Sequence, residues 1–495
     1  MFESAELGHK IDKATYDKEV PKLREALLNA QFDLAQKHEF PVIILVGGVD
    51  GAGKGEMINL FNEWMDPRHI QAHAMGEASD EKQPLPPMWR FWRALPPKGK
   101  IGIFSGSWYT DPIVQRVLGK AKASSLDKSI EEINRFEMML SNEGALIIKF
   151  WFHLSKDDQR IRLKNLEKNP QTRWRVTRFD WEHFALYDKY RKISERTLRG
   201  TSTADAPWIV IEGKDARYRA LTAGKILLEA LRKRLDHPSQ AASLKAPPLQ
   251  APIDSLDVFD KLDLTKTIEK KRFDVDLESY QGKLNLLTRD PRFKSMSLLV
   301  VFEGSDAAGK GGAIRRITGA LDARYYRVIP VAAPTEEERA QPYLWRFWRH
   351  VPRTGHVVIF DRSWYGRVLV ERVEKFCSEA DWMRAYGEIN DFEEQLVANR
   401  TVLVKFWLAV SKEEQLRRFK EREKIGFKRF KITDEDWRNR EKWDEYKTAV
   451  CDMIDRTSTD FAPWTLVEAN DKNFARLKIL KTLCARIESE MKTVH

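Results

Sequence analysis

Cysteine is scarce: Cys377, Cys451 and Cys484 are the only three in 495 residues, too few and too widely spaced for a disulfide framework or a zinc site. A reducing cytoplasm is the compartment such a chain suits. Long apolar runs are missing as well. No stretch approaches the roughly 18 uninterrupted apolar residues of a membrane span, and the opening Met-Phe-Glu-Ser-Ala-Glu lacks the basic-then-apolar order of a signal peptide. No membrane partner is therefore expected. There is no N-K-x-D tetrad of the kind that reads guanine, and no RNP-like or helix-turn-helix signal, so a GTPase is disfavoured and nucleic acid is an unlikely partner.

What is present is a large, basic, core-forming chain. Hydrophobic residues make up 42% and charged residues 32%, enough for two or more buried domains. The formal charge of +11 points to a polyanionic partner, because a basic surface concentrates anions; polyphosphate, nucleotides and nucleic acid are the candidates.

The sequence repeats itself. Asp50-Gly51-Ala52-Gly53-Lys54-Gly55 returns 256 residues later as Asp306-Ala307-Ala308-Gly309-Lys310-Gly311. Trp89-Arg90-Phe91-Trp92-Arg93 returns at the same interval as Trp345-Arg346-Phe347-Trp348-Arg349, and so do Ser107-Trp108-Tyr109, Lys149-Phe150-Trp151 and Ala206-Pro207-Trp208. One register held from about Val42 to Asp215 means a duplicated domain. The division expected is 1–237, a linker rich in Pro, Ala and Ser over 238–254, and 255–495. Each copy alternates apolar runs with helix-like stretches, beginning with Val42–Val46 and Leu298–Phe302. That pattern predicts an α/β fold with a parallel sheet covered by helices on both faces and a ligand at the strand C-terminal ends.

A Gly-rich turn follows the first strand of each copy. Gly304-Ser305-Asp306-Ala307-Ala308-Gly309-Lys310 matches G-x-x-x-x-G-K, in which backbone N–H groups approach phosphate oxygens, the lysine adds a movable positive charge and the next helix presents its positive end. Gly311 stands where a Ser or Thr would hold Mg²⁺, so the metal must find other ligands. Asp306 in the loop and Asp361 after the strand Val357–Phe360 are the candidates, two hard oxygen donors suited to Mg²⁺ together with substrate phosphates.

These residues, with Asp361-Arg362-Ser363-Trp364-Tyr365-Gly366-Arg367 and the basic segment after Lys428, resemble the family-2 polyphosphate kinases over nearly the whole chain. The two-copy arrangement is similar to the class that converts AMP to ADP with polyphosphate. The resemblance implies tandem thymidylate-kinase-like P-loop domains, each with a helical lid, using Mg²⁺ and inorganic polyphosphate as phosphoryl donor. Phosphoryl transfer needs positioning and cations more than a covalent nucleophile. Lys310 and Arg362 are assigned to the reaction centre, and Asp306 and Asp361 to Mg²⁺ or to activating the acceptor. Gly304, Ala308, Gly309 and Gly311 are expected to cradle phosphate. Arg367 and Glu371 are expected on the following helix. Arg418, Arg422, Lys428, Arg429 and Lys431 are expected on a lid closing over the phosphates. In the aromatic cluster the tryptophans are expected in the core, with Arg346 and Arg349 left as candidates for substrate contact.

The copies differ at the chemistry. Asp361, Arg362, Gly366, Arg367 and Glu371 correspond to Ser105, Gly106, Thr110, Asp111 and Gln115, and Lys428 corresponds to Thr172. The first copy is therefore expected to be catalytically silent, supporting the fold or a homo-oligomer or holding polyphosphate. An ATP-dependent nucleoside monophosphate kinase uses the same loop and lid, and residue order does not separate the two donors. A nucleic-acid-binding P-loop protein is the weaker rival.

Overall fold

The computed structural model describes residues 1–76, 85–237, 258–259, 262–426 and 432–493. The linker expected over 238–254 lies outside the described residues, as do Lys428, Arg429 and Lys431.

Each half forms a five-stranded, all-parallel sheet. The first contains β1 (Val42–Gly48), β2 (Ile70–Ala74), β3 (Ile101–Ser105), β4 (Leu146–His153) and β5 (Trp208–Glu212), in the order β2-β3-β1-β4-β5. The second contains β6 (Ser297–Gly304), β7 (Tyr326–Pro330), β8 (Val357–Asp361), β9 (Thr401–Ala409) and β10 (Trp464–Glu468), in the order β7-β8-β6-β9-β10. The expected α/β architecture is thus present twice. β6 is central because Ser297 through Phe302 are buried and apolar but for Ser297, as a strand covered on both faces requires. The edge strands β2 and β7 carry no apolar run: Gln71 and Ala72 are exposed, and so are Arg327 and Val328. Only the sheet partner defines them, which is why apolar patterning passed them over.

Helices seal the sheets with apolar residues at helical spacing. Ile479, Leu480, Leu483, Ile487 and Met491 of helix Lys472–Met491 enter the second core, and Leu227, Leu231 and Leu235 of helix Ala216–Asp236 enter the first. Each such side chain contributes about 1.5–3 kcal/mol on burial. By packing, one compact unit contains the described residues 1–76, 90–237 and 335–345, and the other contains 85–89, 258–259, 262–334, 346–426 and 432–493.

The repeated Ser-Trp-Tyr and Lys-Phe-Trp motifs are explained by a buried ionic network. Lys405 Nζ donates to Glu393 Oε2 at 2.7 Å, to the Thr457 carbonyl at 2.7 Å and to Tyr365 Oη at 2.9 Å, while Tyr365 and Trp364 donate to Glu393 Oε1. Lys149, Glu137, Tyr109 and Trp108 repeat it in the first half. Both lysines are fully buried. Burying such a pair is tolerable only because every charge is hydrogen-bonded. The tryptophans of the aromatic cluster are core residues, as expected: Trp345 and Trp348 are 7% and 1% exposed.

Candidate active site in the second half

The site grows from the C-terminal ends of β6 and β8, on the two sides of the point where strand order reverses. β6 runs into Gly304 at φ 145°, where a Cβ atom would sit 2.6 Å from the Leu408 carbonyl oxygen, so only glycine lets the chain leave the sheet here. The loop closes at Gly309 (φ 114°), which caps helix Lys310–Thr318. Lys310 Nζ lies across the loop, donating to the carbonyls of Gly304 at 2.7 Å and Ser305 at 3.4 Å. Asp306 is braced on three sides. Its Oδ1 accepts from Arg362 Nη2 at 3.1 Å, its Oδ2 from Asn439 Nδ2 at 2.9 Å, and its carbonyl from Gln415 Nε2 at 3.2 Å.

Asp361 ends β8, and the residue after it is held in an unusual backbone. Arg362 adopts φ 66°, a left-handed conformation costly for any residue with a Cβ, while its N–H still pairs with the Phe302 carbonyl at 3.0 Å. The turn aims the guanidinium at Asp306 and brings it within 3.8 Å of Glu435. Strain retained at a charged residue beside a phosphate loop is the pattern of a functional position. Glu303, one residue before the loop, is buried and accepts a 2.8 Å hydrogen bond from the Ser363 hydroxyl. Burial pushes its carboxyl above the ordinary value, outweighing the Ser363 hydrogen bond and the Lys310 and Arg362 charges.

A cavity of about 330 Å³ opens beside the loop. Glu303, Gly304, Ser305, Asp306 and Arg362 line it together with apolar side chains that include Leu262, Leu264, Leu369, Val370, Val410, Trp443 and Val450. A cavity lined by both charged and apolar groups fits a ligand that is phosphate at one end and planar and apolar at the other.

Comparison with known proteins identifies the lineage. The family model described as polyphosphate kinase 2 (PPK2) matches residues 10–238 and again 267–495. The chain belongs to the polyphosphate kinase 2 family. It is 58% identical over 493 residues to a polyphosphate:AMP phosphotransferase of Pseudomonas aeruginosa, with 99% of each chain covered. It is 38% identical to a protein of the same name from Acinetobacter johnsonii, covering 94% of this chain and 96% of that one. A crystal structure assigned to polyphosphate kinase 2 from Pseudomonas aeruginosa PA01 superposes with a TM-score of 0.90 at 56% identity, covering 99% of both chains.

Within this family fold, the residues singled out from sequence are distributed unevenly. Asp306, Lys310 and Arg362 converge on the loop, and Asp361 is close enough for its charge to act on both Glu303 and Arg362. Arg418 is not on a lid facing phosphate. It is 2% exposed, donating to the carbonyls of Ala307, Ala308, Ala469 and Asn470 and to Glu414. It braces the loop from beneath because helix Lys412–Lys424 packs against the loop. Arg422 lies half-buried at the end of the same helix. Arg367 pairs with Glu371 at 2.7 Å, the first in a 3-10 turn (Trp364–Val368) and the second in the short helix Val370–Val373. Arg346 donates to the Ala332 carbonyl at 2.8 Å and lies over the Phe347 ring, and Arg349 is half-buried nearby in sequence. Gly311 lies in the first turn of the loop helix with open space around it.

Sequence reasoning missed Glu303, Asn439 and Gln415. The signal was available for Glu303, because the matching residue of the other copy is Gly47.

The first half keeps the loop but surrounds it with different side chains. Lys54 donates to the Gly48 carbonyl at 2.7 Å and to Asp50 at 3.2 Å, and His183, the counterpart of Asn439, pairs with Asp50 at 3.1 Å. Lys54 and His183 together hold the Asp50 carboxyl well below the usual range against its burial. A Cβ on Gly106, where the second half has Arg362, would fall 2.1 Å from the Met75 carbonyl oxygen. A Cβ on Gly47, the counterpart of Glu303, would meet the Trp151 ring at 2.9 Å. The backbone and an indole have closed over both positions.

Proposed function

We propose that this chain transfers a terminal phosphoryl group from inorganic polyphosphate to AMP, giving ADP, and that the second half carries out the reaction while the first is silent. The observation that carries the assignment to one half is the set Glu303, Asp361 and Arg362 around a phosphate loop with an adjoining cavity, against Gly47, Ser105 and Gly106. The donor and acceptor are supported by the names of relatives that match the chain from end to end.

In this reading the acceptor nucleotide enters the cavity with its nucleoside against the apolar lining residues and its phosphate toward Arg362. The phosphate donor lies on the loop, where the N–H groups at the helix start, Lys310 and the helix dipole gather its negative charge. Arg362 stands between the two phosphate positions and stabilises the charge that spreads over the transferred group. Asp306, fixed by Arg362 and Asn439, orients that arginine, and Arg418 keeps the loop carbonyls in place. Leu262, Leu369 and Trp443 keep water from the transferred group.

Mg²⁺ fits this donor set. Among the described residues no group of three or more His, Cys, Asp or Glu side chains is poised to hold a metal. Two carboxylates that leave the remaining positions to phosphate and water suit Mg²⁺ better than a closed protein cage would. Asp306 and Asp361 would hold it, and bound Mg²⁺ would neutralise phosphate charge.

Among the described residues no helix is long and apolar enough to cross a membrane. Cys377, Cys451 and Cys484 form no disulfide, which supports a cytoplasmic setting.

The test is ADP formation from AMP, polyphosphate and Mg²⁺ without ATP. Asp361→Asn is expected to abolish it and Lys54→Ala to leave it within about twofold. Turnover that appears only with ATP would replace polyphosphate as donor, and loss of activity in Lys54→Ala would end the silence of the first half.

A further inference from the structure

The first half contains a cluster of arginines that neither the family assignment nor the proposed reaction uses. Glu56 lies in the first turn of helix Lys54–Trp64, two residues beyond the loop lysine, and three guanidinium groups converge on it. Arg162 Nη2 is 2.9 Å from Glu56 Oε1, Arg175 Nη1 is 3.6 Å from the same oxygen, and Arg219 pairs with Oε2. Arg219 is 2% exposed, its Nη1 donates to the Gly213 carbonyl at 2.6 Å, and its Nε is buried without a hydrogen-bond partner. Its guanidinium lies directly against Gly53, where a Cβ would sit 2.2 Å from Cζ. Glu56, Arg162 and Arg175 are 37%, 40% and 45% exposed, so solvent reaches the cluster.

The second half is arranged differently at the same register. Gly312 replaces Glu56, Ala475 replaces Arg219, and the counterpart of Arg162, Arg418, is turned inward to the loop carbonyls. No carboxylate stands there, and the Arg476 guanidinium lies against the position, 3.2 Å from a Cβ built on Gly312. The first half therefore differs in placing a carboxylate among its guanidinium groups, at the mouth of a loop whose other charges are already paired. A carboxylate held by two or three guanidinium groups is the same arrangement by which arginines take a phosphate group.

We propose that Glu56 is a resident anion occupying a latent oligophosphate site, formed by Arg162, Arg175 and Arg219 at the loop of the first half. The ligand class is an inorganic oligophosphate, which carries several negative charges against the one of Glu56. While the carboxylate stays in place the cluster is neutralised locally and the site is closed. Removing its charge leaves three guanidinium groups with an unanswered field beside the helix start. This inference rests on the first half being non-catalytic.

The experiment titrates tripolyphosphate, without Mg²⁺, into the full-length chain carrying Lys310→Ala, which weakens the second-half loop, and into the same chain with Glu56→Gln added. The added substitution is expected to tighten binding about tenfold or more, and Arg175→Ala on top of it to reverse the gain. Thermal melting is followed in parallel, and Glu56→Gly, the residue found at position 312, serves if the glutamine variant melts early. Identical titrations with and without a neutral residue at 56, in chains that melt normally, overturn the proposal. ADP formation separates the two readings: tight binding without turnover beyond that of the Lys310→Ala chain upholds both, whereas added turnover upholds the site and refutes the silence of the first half.

Discussion

Replacing Arg362 by glycine separates what this residue does for stability from what it does for catalysis. In the folded chain Arg362 sits at φ 66°, a conformation that costs an L-residue about 1–2 kcal/mol relative to glycine. Glycine removes that strain but loses about 0.4–1 kcal/mol to its freer unfolded chain. The 3.1 Å pair with Asp306 disappears as well. Because Arg362 is 42% exposed, that pair counts at the weak end, about 0.2–1 kcal/mol, and Asn439 stays on Asp306. The three contributions nearly cancel, so Arg362→Gly is expected to unfold within about 1 kcal/mol of the parent. Arg362→Ala keeps the strain and loses the pair, so it is expected to be the less stable of the two. In the proposed reaction both lose the cation beside the transferred phosphoryl group. Removing one preorganised donor costs about 10²–10³ in kcat. Urea unfolding gives the stability order and steady-state ADP formation gives the rate. The reasoning fails if the alanine variant proves more stable than the glycine variant, or if either keeps kcat within tenfold of the parent.

Other perturbations read different parts of the molecule. Glu303 has its folded-state pKa raised by burial, so the folded chain binds more protons than the unfolded chain once the pH passes about 4.3, and stability falls as pH rises from there toward the folded value. Glu303→Gln is expected to flatten that decline, seen as a smaller loss of urea midpoint between pH 4 and 7; an unchanged slope contradicts the assignment. Lys405→Met leaves Glu393 buried and without its cation, which is expected to cost about 3–5 kcal/mol, and adding Glu393→Leu is expected to recover part of it. Lys149→Met in the first half is expected to behave alike, since Lys149 and Glu137 are buried to the same degree. Equal stability of Lys405→Met and the parent in chemical denaturation would refute this account of the buried pair.

Much of this architecture was readable because burial and phosphate chemistry both leave marks in local sequence. Val42–Val46 and Leu298–Phe302 are apolar since they are covered on two faces, Gly304 is required because a Cβ would meet the Leu408 carbonyl, and Gly309 because its φ is 114°. What escaped was set by packing over long sequence separations. β2 and β7 acquire strand form from β3 and β8, with no pattern of their own. Asn439 reaches Asp306 across 133 residues, and Gln415 reaches the same residue across 109. The basic run Arg417–Arg422 looks in sequence like a solvated lid. Nothing in its composition tells that Arg418 turns inward while Arg417, on the other face, pairs with Glu414 and Glu421. Charge marks a residue as polar, and only the helix phase decides whether its donors meet phosphate or backbone carbonyl.

The two halves share their turns and differ in what those turns carry. At both positions where the second half holds a non-glycine residue in the left-handed region within this site, Ala307 at φ 61° and Arg362 at φ 66°, the first half has glycine, Gly51 at φ 80° and Gly106 at φ 75°. The turns are therefore the same and only the side chains differ. Strain of this kind persists when the side chain is needed at that point in space, and glycine relieves it once the need is gone. The surroundings differ with the side chains. The Met75 carbonyl oxygen lies 2.1 Å from where a Cβ at 106 would stand, and the Trp151 ring 2.9 Å from one at 47. Restoring arginine at 106 or glutamate at 47 would now require backbone and an indole to withdraw. On the proposed reading the silence of the first half is built into its packing, and single substitutions at residues 47 and 106 are expected not to reverse it.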